Sequence, residues 1–343
     1  MNGFERIKSA FENKPADKIP IMLHNFLMAA HEAGITMEKF RNEPALMAEA
    51  FIRSVEKYRI DGVMIDMDTV TLAGALGVPI DFPENEAARS PRGILNELQE
   101  IRKKPAVNIQ QYRYVQNWLE AVRLVKSHFR NQVFVRGNCD QAPFSLAGLM
   151  RGLENWMTDL YLEEEGLILE ILDYCREASV QFLRLMAETG CDMLSNGDSP
   201  AGPELLPPEL YEKYALPFEK ILAEESHRLG LPYAMHICGN TELILDKMIE
   251  NGADAFELDY KTDTQKAFDL LHNKAVFIGN IDPSGVLAMG TEKLVREKTR
   301  DLIRIFSKTN RFILNAGCAI PANTPEKNIR AMIETARETQ PGL

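Results

Sequence analysis

Nowhere in this chain of 343 residues do lysine and arginine gather into a basic tract. Its 39 Lys and Arg face 50 Asp and Glu, for a formal net charge of −11. Nucleic acids and anionic membranes both require a Lys/Arg surface, so neither is expected as the main partner. A local positive pocket for one small anion is compatible with this charge. No uninterrupted apolar run approaches the roughly 18 residues of a membrane span. The opening MNGFERIKSAFENKPADKIP has no apolar core of a secretion signal. Cysteine is scarce and odd in number: Cys139, Cys175, Cys191, Cys238 and Cys318 lie far apart. That excludes a disulfide framework as the main source of stability. Without a secretion signal, reduced thiols in a cytoplasmic protein are expected.

What the chain does have is alternation. Short apolar or β-branched runs, bounded by Gly, Asn, Asp or Pro, fall at 19–23, 62–68, 132–138, 193–198, 233–239, 254–260, 275–282 and 311–318. Between them, apolar residues recur at helical spacing over 44–59, 114–129, 167–189, 207–229, 241–251, 292–308 and 324–338, after a first short helix near 3–13. Thr324 and Pro325 suit the N-cap and first position of the last helix, and Pro217 should kink the helix that contains it. Eight strands alternating with helices predict a single (β/α)8 barrel spanning 1–343, with a doubly wound open sheet as the structural alternative. The stretch 70–131 is long for one connection after the second strand and is expected to hold an extra helix, a lid or a docking insertion.

Chemistry in such barrels sits at the C-terminal ends of the strands. Those ends read His24 and Asn25, Asp66 and Asp68, Arg136 and Asn138, Asn196 and Asp198, His236 and Cys238, Glu257 and Asp259, Asn280 and Asp282, and Cys318. Asn and Asp are common in turns, so His, Cys and Arg carry the information. His236 and Cys238 share a strand face because side chains alternate. In isolation the pair reads as buried packing before it reads as a ligand pair, since free Cys is among the most buried residue types. Cys318 at the end of the eighth strand supplies a third thiolate or imidazole ligand of the kind zinc prefers. Cys175, Cys191 and Cys139 read as packing residues.

Several stretches carry a resemblance. ERIKSAFENKPADKIPIM, IGNIDP (278–283) and NAGCAIPANTPEKNI (315–329) are similar to the opening, the glycine-asparagine-x-aspartate-proline turn and the C-terminal signature of the uroporphyrinogen decarboxylase superfamily. The likeness runs from residue 5 to about 338, and the superfamily fold is a (β/α)8 barrel. Decarboxylases of that superfamily grip a tetracarboxylate with an arginine-rich segment near the start. The corresponding LHNFLMAAHEAG (23–34) holds no arginine, and decarboxylases carry histidine where this chain has Cys318.

The corrinoid-dependent methyltransferase branch, resembling the methylcobamide:coenzyme M methyltransferases, has an H-x-C…C zinc signature that His236, Cys238 and Cys318 reproduce. The resemblance implies Zn2+ on those three residues, with Asp259 as fourth ligand and Glu257 as the second candidate. It implies methyl transfer between a corrinoid and a small thiol such as coenzyme M. Demethylation of a methyl ether toward cobalt(I) is the alternative, and a decarboxylase or a non-catalytic tetrapyrrole-binding barrel is a further one. No D-x-H-x-x-G corrinoid-binding motif occurs in the chain, so the corrinoid is expected on a partner protein. Around this centre Asp198 and Asp259 are the candidate catalytic carboxylates. Asn138, Asn280 and His24 are expected to face the cofactor. Arg136 and Glu257 are expected at the substrate, with Arg136 either holding an anion or pairing with Asp198.

Overall fold

In a computed structural model, which describes residues 1–339, all eight expected strands are present. They are β1 (Met22–Leu23), β2 (Gly62–Ile65), β3 (Phe134–Gln141), β4 (Met193–Gly197), β5 (Tyr233–Ile237), β6 (Ala255–Leu258), β7 (Val276–Ile281) and β8 (Phe312–Ala316). Each pairs in parallel with the next in sequence order. A parallel bridge between Ile21 and Leu314, with the Leu314 N–H donating to Pro20 O at 2.9 Å, closes the sheet on itself. The result is the (β/α)8 barrel.

The helices outside it bury one stripe each. In Glu292–Phe306 the stripe is Val295, Thr299, Leu302, Ile303 and Phe306, and the other face is charged. Inside the barrel, Met22, Phe134, Met193, Ala234, Ala255, Val276, Ile278 and Ile313 form an apolar lower layer. The first helix, Gly3–Phe11, plugs that end by adding Ile7 and Ala10. Asn2 and Glu5 close its start reciprocally, each side chain accepting the other's N–H. Further along the same strand faces the interior turns polar, with Arg136, Ser195, His236, Glu257 and Asn315 all buried.

The helical expectations need four corrections. The last helix is Glu326–Glu338, with Pro325 at its N-cap and no side-chain cap, so Thr324 does not cap it. The helix expected over 207–229 divides into a turn at Pro208–Leu210, a π-helical turn at Tyr211–Ala215 and the helix Leu216–Arg228. Pro217 removes an N–H donor, and the chain accommodates the gap by widening the preceding turn. The helix expected over 241–251 shortens to Leu245–Met248 and a 3-10 turn at Ile249–Asn251. Thr241 is drawn out of it by bonds of its N–H and hydroxyl to Thr262 Oγ1, both 3.0 Å. Phe26–Glu32, Met37–Asn42, Thr71–Ala75, Pro143–Arg151, Leu153–Leu162 and Thr264–Leu271 are additional helices too short to show periodicity.

The long stretch after β2 holds Thr71–Ala75, a 3-10 turn at Leu98–Lys103 and the expected helix, Arg113–Phe129. Two buried guanidinium groups pin its irregular part. Arg41 donates to Pro83 O and Glu86 O, both at 2.6 Å, and Arg151 donates to Leu95 O at 3.0 Å and to Asn96 O. No helix among the described residues is long and apolar enough to cross a membrane.

Candidate metal centre

The ends of β5 and β8 bring His236, Cys238 and Cys318 together, with one ligand atom of each within 4.8 Å of the others. It is the one group of three or more such residues among those described. Cys238 Sγ lies 3.0 Å from His236 Nε2 and 3.6 Å from Cys318 Sγ. Ligands of a tetrahedral zinc ion with bonds of ~2.0–2.3 Å stand on the order of 3.5–3.8 Å apart, so small side-chain adjustments suffice. The His236 Nδ1 lies 2.8 Å from the Glu257 carbonyl oxygen, which can only accept. Nδ1 therefore carries a proton, which leaves Nε2, 3.0 Å from Cys238 Sγ, as the nitrogen that can bind a metal. Two soft sulfurs and an imidazole nitrogen, half-shielded from solvent, are the donor set zinc takes. The residues fit the ion.

Without metal these groups hold one another's protons. The hydrogen bond with the Cys318 thiol, opposed by burial and aided by His236, holds the Cys238 thiol down to about 3. The same hydrogen bond and burial push Cys318 far up. Burial opposes charge on His236, but the Cys238 thiolate outweighs it and raises the imidazole to about 10. Metal binding must displace the protons on Cys318 and His236 Nε2.

Asp259 stands outside this group of three. Its carboxylate accepts the N–H of Gly239 at 2.9 Å and of Lys261 at 3.0 Å, and so shapes the turn that follows Cys238. The place expected for it as fourth ligand and catalytic carboxylate is corrected to that turn. Glu257 is fully buried and faces two cations, His24 Nδ1 at 3.0 Å from Oε1 and Arg136 Nη1 at Oε2. Burial opposes its charge, yet Arg136 and then His24 hold its carboxyl well below the usual range. Arg136 therefore pairs with Glu257 and with Ser195 Oγ, at 2.8 Å, and not with Asp198, and it is fully buried.

The other candidates also have partners within the protein. His24 has both ring nitrogens on carboxylates, with Asp66 Oδ2 2.9 Å from Nε2. Burial opposes its charge, but Glu257 and Asp66 lift it to about 9. Asn138 donates to Asp66 Oδ1 at 2.9 Å, and Asn280 donates to the Asp259 carbonyl at 3.2 Å. Asp198 points away from the barrel axis. It accepts the Ser145 N–H at 2.9 Å and the Ser145 hydroxyl, and burial beside Glu219 raises its carboxyl well above the usual value. It holds the start of Pro143–Arg151. Asp282 accepts the N–H groups of Ser284 and Gly285, both at 2.9 Å, in the structural role expected for it.

Two residues near the centre were not singled out by sequence. Ser195 lies in the barrel beside Arg136, and Ser199 Oγ accepts the Cys238 N–H at 3.4 Å. Ser195 is detectable from parity: it shares the face of Met193, two residues before it, whereas Asn196 faces outward and receives the Tyr233 hydroxyl at 3.0 Å.

A model of the uroporphyrinogen decarboxylase (URO-D) family matches residues 2–339. Methylcobamide:CoM methyltransferase MtbA of Methanosarcina acetivorans is 27% identical, over 97% of this chain and 97% of its own. Uroporphyrinogen decarboxylase of Prochlorococcus marinus is also 27% identical, over 86% of this chain and 83% of its own. A solved methyltransferase from Methanosarcina mazei superposes with a TM-score of 0.85 over 98% of this chain and 99% of that one, at 20% identity.

Proposed function

This chain belongs to the uroporphyrinogen decarboxylase family, and within that family we propose that it is a zinc-dependent methyltransferase acting between a corrinoid on a partner protein and a small thiol. One observation carries this reading: His236 Nε2 and the sulfurs of Cys238 and Cys318 converge on a single point at the mouth of the barrel. Identity alone does not separate the two activities among the relatives, since a methyltransferase and a decarboxylase are both 27% identical. The methyltransferase, however, matches over 97% of this chain against 86%. The segment 23–34 also lacks any arginine to grip a polycarboxylate.

The bound ion would supply Lewis acidity that keeps a substrate sulfur as thiolate, the true nucleophile, at neutral pH. Two Cys thiolates and a neutral imidazole balance the ion's charge, so the substrate sulfur keeps its electron density. The protein's own contribution is placement. Glu257 O fixes the His236 tautomer, Ser199 Oγ tethers the Cys238 backbone, and Asp259 holds the turn beyond it. His236, Cys238 and Cys318 would hold the ion and would leave it open to a substrate sulfur.

Metal analysis together with a methyl-transfer assay tests the proposal. Purified protein is expected to hold one zinc per chain and to move methyl groups from methylcobalamin to small thiols. His236→Ala and Cys318→Ala are expected to lose both properties. A zinc-free protein whose variants behave as the parent does would sink the proposal. Transfer only from methyl ethers to cob(I)alamin would reverse its direction.

A further inference from the structure

Six buried side chains close a ring of hydrogen bonds inside the barrel, just below the three candidate ligands. Arg136 Nε donates to Ser195 Oγ, and the Ser195 hydroxyl donates to Asn138 Oδ1 at 3.2 Å. Asn138 Nδ2 donates to Asp66, Asp66 meets His24 Nε2, His24 Nδ1 meets Glu257, and Glu257 returns to Arg136. The ring joins β3, β4 and β6 to the residues that follow β1 and β2. With His24 doubly protonated it contains two cations and two carboxylates.

A fold does not need such a ring. Buried ion pairs of this kind are often replaced by apolar residues of similar volume at no loss of stability. The lower layer of this same barrel fills its cross-section with Met, Phe, Ile, Val and Ala. What distinguishes the ring is its hydrogen bond to the triad, made through one residue. Glu257 is gripped at its carboxylate by Arg136 and His24, and its backbone carbonyl receives the His236 Nδ1–H. Register pairs His236 with Glu257 across β5 and β6, so the orientation of that peptide group sets the orientation of the imidazole.

We propose that Arg136 and His24 are positioning residues of the metal centre, fixing the tautomer and ring plane of His236 by clamping Glu257 from two sides. The inference rests on the metal-binding reading of His236, Cys238 and Cys318.

The test uses the full chain loaded with Zn2+ or Co2+. It reads metal affinity by chelator competition and site geometry from the Co2+ d–d absorption, both independent of activity. Arg136→Met and His24→Gln are expected to lower affinity about threefold or more, short of the ~10–100-fold usual for removing the direct outer partner of a metal-bound histidine, since the Glu257 carbonyl remains. Arg136→Lys should recover part of that loss. Ser195→Ala cuts the ring without unpairing a charge, so it folds where the others fail, and should weaken binding at least threefold with a shifted Co2+ spectrum. Val276→Ala, in the apolar layer, should lower Tm and leave affinity unchanged. Affinities within twofold of the parent together with unchanged Co2+ spectra would overturn the proposal, as would an equal loss in Val276→Ala. If the parent itself binds neither ion, the metal reading falls and takes this inference with it.

Discussion

The sulfurs of Cys238 and Cys318 stand 3.6 Å apart although 80 residues separate them in sequence. They are also the two cysteines only partly shielded from solvent; Cys139, Cys175 and Cys191 are buried, and burial raises the thiol pKa of all three. Thiol reactivity follows thiolate character and access. Chelator-treated native protein should therefore show, of its five thiols, one fast-reacting thiol, Cys238, and a slower second, Cys318, whose proton is held by the Cys238 thiolate, against a chromogenic disulfide reagent. Cys238, held down to about 3 by its hydrogen bond with Cys318, should react without the usual rise between roughly pH 7 and 9. Added Zn2+ should protect both, and Cys318→Ser should leave one. A third reactive thiol in the folded protein would contradict this assignment.

Asp68 and Asp140 face each other's charge beneath the connection after β2, each with one buried carboxylate oxygen that has no partner. Burial, with Asp66 adding repulsion, pushes the Asp68 carboxyl up to about 6, and burial beside Asp68 raises Asp140 well above its usual value. A carboxyl raised on folding binds its proton to higher pH in the folded chain than in the unfolded one. Its contribution is thus present at low pH and is lost as pH rises through about 6. Asp140 has φ of 60°, a left-handed conformation that asparagine tolerates well. Asp140→Asn can still accept the Leu72 N–H while removing the like charge. Urea denaturation should find it about 1–3 kcal/mol more stable than the parent at pH 8, with a flatter slope between roughly pH 4 and 6. Lower stability at pH 8 would refute the account.

Strand number and order were legible in the sequence because each rests on local signals, short apolar runs and turn residues at their ends; the triad became legible only through the family resemblance that joined Cys318 to His236 and Cys238, 80 residues away. The partners of buried polar groups were not legible, because they depend on which face each strand turns inward. Asp198 looked like a mouth residue from its place after β4, yet it shares the outward parity of Asn196 and holds Ser145 instead. Arg136 was expected at a strand end, either holding an anion or pairing with Asp198, whereas Glu257 lies across the interior from it. Its distance in sequence, 121 residues, carries no local signature. Helices of fewer than about eleven residues show too few turns for periodicity, which is why Phe26–Glu32 and Thr264–Leu271 were missed while Pro44–Tyr58 was not.

Arg41 is 1% exposed and has no carboxylate partner among the described residues; its guanidinium lies 5.7 Å from the Phe82 ring centre and donates to the carbonyls of Pro83 and Glu86. A fixed charge so used is an anchor for the irregular stretch that follows Thr71–Ala75. Arg41→Met keeps the volume and apolar stem but leaves both carbonyls unpaired, which costs about 1–3 kcal/mol. That cost falls on local opening, because the barrel strands do not depend on these bonds. Trypsin should then cut at Arg89 and Arg92 at least tenfold faster than in the parent, a tenfold gain in the open population being worth about 1.4 kcal/mol. Zinc content should stay that of the parent. Cleavage that remains slow, or that spreads evenly over the chain, would mean that Arg41 is not the local anchor of this connection.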